Sequence, residues 1–68
     1  MSDQALAHNT TDPDKLHALA TKHVSREVRL TAVRNRHASD ETLWYVIKYD
    51  TDKEVRDVAQ ETHSLRRL

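Results

Sequence analysis

The segment Glu27-Val28-Arg29 recurs later in the chain as Glu54-Val55-Arg56, and this recurrence decides how the sequence folds. When the sequence is aligned with itself so that Glu27 falls on Glu54, other identical residues also fall on each other. We call this displacement the repeat offset. The other identical pairs are Leu16 with Leu43, Ala32 with Ala59, and Ala5 with Ala32. Similarity at one fixed period is the sequence signature of a repeat protein. The sequence therefore predicts about two copies of one structural unit.

Each unit is predicted to be a pair of helices, because its apolar residues recur at helical spacing. Asp12 can cap the first helix and Pro13 suits its first turn, while residues 51–54 fit a capping box at the start of the fourth. The predicted helices run over residues 12–22, 25–36, 39–49, and from 51 or 52 to 65. The predicted inward residues are Leu16, Leu19, Ala20, His23, Val28, Ala32, Val33, Leu43, Val46, Ile47, Val55, Val58, Ala59, Thr62 and Leu65.

The stretch Trp44–Tyr49 would pass for a strand on its own, since it is rich in aromatic and β-branched residues. Its alignment with residues 16–20 of the first unit favours a helix, and we adopt the helix. The predicted fold is all-α: a short α-solenoid-like array of about two helix-pair repeats, with four main helices and a short N-terminal helix. The predicted organisation is one helical-repeat domain over 1–68, with a leading half-unit at 2–9, repeat one at 12–36 and repeat two at 39–65.

The composition narrows the possible folds and sites. The chain has 68 residues, enough for one small domain, and a formal net charge of zero. It has no cysteine, which excludes disulfides and thiolate metal sites. It also has no glycine, so turns with positive φ must fall on Asn or Asp or be avoided, which disfavours hairpins. No segment is long and apolar enough to predict a membrane span, and no signal peptide is evident. We expect a complete, soluble, cytoplasmic protein without a membrane partner.

Two stretches, residues 50–59 and residues 28–35, resemble HEAT-type helical repeats. The string Val28-Arg29-Leu30-Thr31-Ala32-Val33-Arg34-Asn35 is also similar to the leucine-rich-variant subgroup. The resemblance implies a right-handed α-solenoid with a scaffolding or recognition role. It further implies that the aspartate before the second helix of a unit pairs with the arginine of Val-Arg, so Asp50 is expected to pair with Arg56. In the first unit the aspartate position holds His23.

The second predicted helix and its flanks are basic and carry Lys22, Arg26, Arg34 and Arg36. Such a set could contact phosphates, which makes nucleic-acid binding one interpretation. The other interpretation is structural, because basic residues are favoured near helix C-termini and arginines beside an apolar stripe form internal pairs. With zero net charge, nucleic acid is the less favoured partner.

The third predicted helix is apolar nearly all round. Its inward face is filled by other residues, Tyr45 and Tyr49 share a separate face one turn apart, and Trp44 lies on another flank. The first unit has Ala18 and Lys22 where the second has the tyrosines. These aromatics are either core residues or anchors of a contact surface. As anchors, Trp44, Tyr45 and Tyr49 are the predicted partner-binding residues.

No catalytic, metal or cofactor site is predicted. None of the five histidines forms an i, i+4 pair, and no phosphate loop can form without glycine. The paired carboxylates stand at predicted helix starts, where capping explains them. The sequence thus favours a non-catalytic protein–protein interaction module with an unidentified protein partner and a possible homo-oligomer. The alternative is a nucleic-acid-binding protein that uses residues 22–36.

Overall fold

The computed structural model describes residues 2–67, which form five α-helices and no strand. The helices are α1 (Asp3–Asn9), α2 (Pro13–Lys22), α3 (Arg26–Arg34), α4 (Asp40–Tyr49) and α5 (Lys53–Leu65). The all-helical prediction is confirmed, and the ambiguous aromatic stretch lies within α4. No helix in this part of the chain has the length and apolar character needed to cross a bilayer.

Every helix begins at a side chain that accepts a main-chain N–H of the first turn. These N-cap residues are Ser2, Asp12, Ser25, Ser39 and Asp52. Pro13 occupies the first position of α2, where its missing N–H has no partner to lose. The predicted capping box starting at Thr51 is wrong. Asp52 caps α5 instead, because its carboxylate accepts from the N–H groups of Glu54 and Val55.

The helix ends show how a chain without glycine makes its turns. No residue between 2 and 67 has a positive φ. The residues that end the first four helices, Thr10, His23, Asn35 and Asp50, all have extended backbone. The turns between these helices are therefore made without left-handed backbone. Helix α3 ends at Arg34 rather than at the predicted Arg36, because Asn35 leaves the helix and bonds to the end of α1.

The helices pack in two rows. Helix α3 lies between α1 and α5, helix α2 lies beside α4, and the rows meet through the α2–α3 and α4–α5 pairs. The first residues of equivalent helices are separated by the repeat offset. Helices α2 and α4 begin and end at the repeat offset from each other, and α3 and α5 begin at the same offset. The described residues span 32 × 24 × 15 Å.

The core lies between the two rows and is built from aliphatic side chains. Its largest fully buried members are Leu16, Val33, Leu43, Val46 and Val55. Burying one such side chain stabilises the fold by about 1.5–3 kcal/mol. Leu19, Ile47 and Val58 pack against this core and are partly buried, as expected for residues at the edge of the apolar face of an amphipathic helix.

The prediction of the inward face fails at Leu65, whose side chain is 60% exposed. Leu65 is the last residue of α5. Conversely, Leu30, Thr42 and His63 are buried although the sequence did not single them out. Thr42 can be buried because its hydroxyl bonds to His17 Nδ1 at 2.7 Å and to Ser39 Oγ at 3.0 Å.

Candidate functional site

The outward face of α4 carries a pair of exposed tyrosines. Tyr45 is 46% exposed and Tyr49 is 66% exposed. Their rings lie against each other with centroids 4.9 Å apart, and the His17 ring of α2 lies 6.0 Å from Tyr45 in an edge-on arrangement. The two rings therefore form one supported patch, with one side against α2 and the other side facing solvent.

Helix geometry explains why the tyrosines point outward. Successive residues turn by about 100° around a helix, so the burial of Leu43 and Val46 leaves Tyr45 and Tyr49 on the opposite side. The corresponding residues of α2, Ala18 and Lys22, are also exposed. The position faces outward in both helices, and the aromatic rings are what distinguishes α4.

Trp44 has a different environment from the tyrosines. Its ring is 45% exposed and packs edge-on against the buried His63 ring of α5, with centroids 5.0 Å apart. The Lys48 ammonium lies 6.0 Å from the centre of the Trp44 ring. Trp44 therefore ties α4 to α5 and still contributes an exposed edge. From Trp44 to Tyr49 the outward face covers about 140° of the helix circumference.

A shallow groove between α2 and α4 adjoins the tyrosine patch. It has a volume of about 600 Å³ and is lined by His17, Ala18, Lys22 and Glu41, among others. His17 belongs to both features, since its ring also contacts Tyr45. Its orientation is fixed by the hydrogen bond to the buried Thr42. The outward surface thus offers aromatic rings beside a polar groove with charges of both signs.

The predicted ion pair between Asp50 and Arg56 is wrong. The Asp50 carboxylate, only 5% exposed, pairs instead with Arg29, whose Nε lies 2.9 Å from Oδ2. Arg56 bonds to the same residue in another way, donating from Nη1 to the Asp50 main-chain carbonyl at 2.7 Å. The carbonyl at the end of α4 faces the first turn of α5, whereas the carboxylate reaches across to α3.

The same arrangement recurs in the preceding helix pair with the donor and acceptor roles exchanged. Arg29 donates to the main-chain carbonyl of His23 at 2.9 Å, as Arg56 does to that of Asp50. The His23 ring replaces the carboxylate: its Nδ1 accepts from the Ser25 N–H, and its Nε2 lies 2.8 Å from Asp3 of α1. A polar side chain at this position therefore joins each helix pair to the helix before it.

The four predicted phosphate contacts do not form one surface. Arg26, at the start of α3, is hydrogen-bonded to Asp52, Glu27 and Glu54. The bonds to Asp52 and then to Glu54 raise the pKa of Arg26 above its ordinary value, and the bond from Arg26 lowers the pKa of Asp52. Lys22 is exposed at the end of α2. Arg34 and Arg36 lie at the far end of α3.

Arg34 and Arg36 line an open groove of about 620 Å³ together with residues that the sequence did not single out. These additional residues include His8, Thr31, Asn35 and His37. These residues come from the end of α1, from α3 and from the segment after α3, so only the tertiary structure identifies them as neighbours. Within residues 2–67, no three His, Asp or Glu side chains converge in an arrangement that could hold a metal ion.

Comparison with protein-family models, with curated proteins and with solved structures finds no match to this chain. Two surfaces of the described residues are candidates for binding: the aromatic face of α4 and the basic groove at the end of α3.

Proposed function

We propose that this protein is a non-catalytic protein–protein interaction module of the helical-repeat type, and that it binds a protein partner through the outward face of α4. The proposal includes the HEAT-like, solenoid-like arrangement that the sequence predicts. It also includes a cytoplasmic location, since a chain without cysteine does not depend on an oxidising compartment.

The observation that carries the proposal is the exposure of the Tyr45–Tyr49 pair. Tyrosine and tryptophan are favoured as interface anchors because they supply a large contact area with few rotatable bonds. A helix that only packed on its neighbours would not need two rings at positions where α2 has Ala18 and Lys22. The adjoining groove supplies polar groups that could form the rim of an interface.

The helical-repeat part of the proposal is supported by the equal spacing of caps and helices. Asp12 and Ser39 cap α2 and α4, and Ser25 and Asp52 cap α3 and α5. Both pairs of caps are separated by the repeat offset that relates Glu27 to Glu54. The packing in two rows is what neighbouring helix-pair repeats produce.

Helix α5 offers less to a partner than α4 does. Leu30 and Val33 of α3 are buried, whereas the corresponding Asp57 and Gln60 of α5 are exposed and polar. Stacking of further apolar surface on this side of α5 is therefore unfavourable. If the partner is a second copy of the chain, the α4 face is the surface that fits that contact.

Nucleic-acid binding through the whole basic helix has less support than protein binding. Arg26 already has three carboxylate partners, and Lys22 lies apart from Arg34 and Arg36. Phosphate binding would have to break the Arg26 network or dispense with one of the four predicted contacts.

The test uses the tagged protein as bait in cell extract, with covalent cross-linking and quantitative mass spectrometry. The double variant Y45A/Y49A should lose its captured partner by about 30-fold or more, the effect of removing about 2 kcal/mol of interface energy. The matched control is Val24→Ala, which trims an apolar side chain that is 93% exposed and lies outside α4. Equal capture by the wild type, the double variant and the control would contradict the proposal.

A further inference from the structure

Two of the seven arginines stand apart from the others in having no partner among residues 2–67. The remaining five bond to carboxylates, main-chain carbonyls or a histidine ring; they are Arg26, Arg29, Arg56, Arg66 and Arg67. The guanidinium groups of Arg34 and Arg36 make no hydrogen bond or ion pair within that part of the chain, and both residues are exposed. In a protein of zero net charge, two such neighbouring cations create a local positive field.

The groove beside them has the chemistry of an anion site. Its volume is about 620 Å³, and its lining holds two arginines, two histidines, three threonines and two asparagines, with no carboxylate. Arginine binds carboxylates and phosphates through paired N–H groups, and hydroxyl and amide side chains can complete the hydrogen bonding.

Attraction to helix C-termini does not account for these two arginines. Basic side chains are favoured there because the last carbonyls of a helix lack partners. At the end of α1, however, Asn35 Nδ2 donates to the carbonyls of Ala7 and Thr10, at 2.9 Å in both cases. Arg66 donates to the carbonyls of Asn35 and Arg36 after α3. Since no side chain or carbonyl of residues 2–67 bonds to the guanidinium groups of Arg34 and Arg36, an external anion is a suitable partner for them.

The same contacts make the groove rigid before any ligand arrives. Besides its bonds to α1, the Asn35 side chain accepts from the main-chain N–H of His37 at 2.8 Å. Asn35 thereby fixes the end of α1 against the segment that follows α3, and these are the two sides of the groove. A preformed site loses less conformational entropy on binding than one that must be ordered.

A second groove shares Arg34 and Arg36 with the first and indicates the class of ligand. It has a volume of about 380 Å³ and is also lined by Glu61, Leu65 and Arg66. Leu65 offers apolar surface to a peptide side chain. Glu61 disfavours any anion beside it, so the carboxylates of a peptide would lie in the first groove, whereas a continuous phosphate backbone would also have to pass Glu61. Neither lining contains a Phe, Tyr or Trp on which bases could stack, as single-stranded nucleic acids require.

We infer that the two grooves together bind an acidic peptide segment of a partner protein, with its carboxylates on Arg34 and Arg36 and an apolar side chain on Leu65. The surface is distinct from the face of α4, since neither Tyr45 nor Tyr49 lines either groove. It does not depend on the function proposed for that face.

The probe is a short fluorescein-labelled peptide of glutamates with one central leucine, titrated by fluorescence anisotropy at physiological ionic strength. The variant R34Q/R36Q should weaken binding by about tenfold or more, because both paired contacts are lost. The matched control K15Q/K22Q removes the same net charge from exposed residues of α2 and should change binding by less than about twofold. The variant Y45A/Y49A should bind the probe as the wild type does.

Three outcomes would overturn the inference. One is the absence of measurable peptide binding by the wild type, and another is equal weakening in R34Q/R36Q and K15Q/K22Q. The third is tighter binding of a labelled oligouridylate of matched charge, which would assign the grooves to nucleic acid. Sedimentation of the unliganded protein adds one further such outcome: a dimer that R34Q/R36Q dissociates would also overturn the inference, because a second copy of the chain would then be the occupant.

Discussion

The α2–α3 pair and the α4–α5 pair share a frame and differ on their outward faces. Both pairs have capped helices at the same offset, and both bury a leucine at the same place, Leu16 in one and Leu43 in the other. Outside the core the pairs diverge. Where the first has Ala18 and Lys22, the second has two tyrosines whose rings lie against each other.

The comparison separates two constraints on the sequence. Core positions are held by close packing, where a change of one methylene group already affects stability, so the same residue types recur. Outward positions carry no such constraint and are available for binding. A large aromatic side chain that appears at one outward position but not at its equivalent therefore points to binding rather than to packing.

A second difference lies in the polar contact that joins each helix pair to the preceding helix. In the second pair, the nearly buried Asp50 carboxylate accepts from Arg29. In the first pair, the partly exposed His23 ring bonds to Asp3. The contact keeps its place while its donor and acceptor are exchanged, and both pairs keep the bond from the following arginine to a main-chain carbonyl.

The largest effect is expected from replacing the two equivalent arginines. Arg29→Ala should lower the free energy of unfolding by about 3 kcal/mol, because it leaves the Asp50 carboxylate nearly buried without its cation. Arg56→Ala removes a side-chain bond to a main-chain carbonyl and should cost about 1 kcal/mol. Urea unfolding measures both changes, and equal losses would contradict a stabilising role of the Arg29–Asp50 ion pair beyond that of a main-chain hydrogen bond.

A smaller effect is expected from acid titration of the contact between Arg26 and Asp52. Hydrogen bonding to Arg26 lowers the pKa of Asp52 from its ordinary value of 3.8. A carboxyl group with a lowered folded-state pKa stabilises the protein above that ordinary value and loses its contribution as the pH falls through the folded pKa. The stability gap between the wild type and Asp52→Asn should thus be full at neutral pH and close progressively below pH 3.8.

The Asn variant is a suitable comparison because Asn also caps helices well, so the start of α5 is retained. In an Arg26→Ala background, Asp52→Asn should change the pH dependence much less, since the dominant cause of the lowered pKa is gone. A gap between the wild type and Asp52→Asn that stays constant from neutral to acidic pH would contradict the predicted role of the pair.

Sequence reasoning located the helices well because caps act locally. The side chains of Asp12, Ser25 and Ser39 each accept a hydrogen bond from a main-chain N–H two or three residues later. Their role as N-caps can therefore be predicted without a tertiary structure. The partner of Asp50 cannot be predicted in this way. Arg29 and Arg56 are both arginines of Val-Arg, and only the packing of α3 beside α5 decides which one reaches the carboxylate.

The same limit applies to the candidate surfaces. The tyrosines stood out because the two units could be compared position by position. The basic groove did not, since His8 and His37 come from segments that meet only through the Asn35 side chain. Periodicity alone predicts a core position for Leu65, whereas the residue is 60% exposed at the end of α5.

Helix α4 carries large aromatic residues on a face that the core does not need, and equilibrium urea unfolding of Y45A/Y49A is the test of this property. The expected loss is about 1 kcal/mol or less, since exposed substitutions cost little and alanine favours helix. Leu43→Ala, on the buried side of the same helix, is the control and should cost about 3 kcal/mol. A loss in Y45A/Y49A as large as that in Leu43→Ala would show that the tyrosines are core residues and would contradict the account.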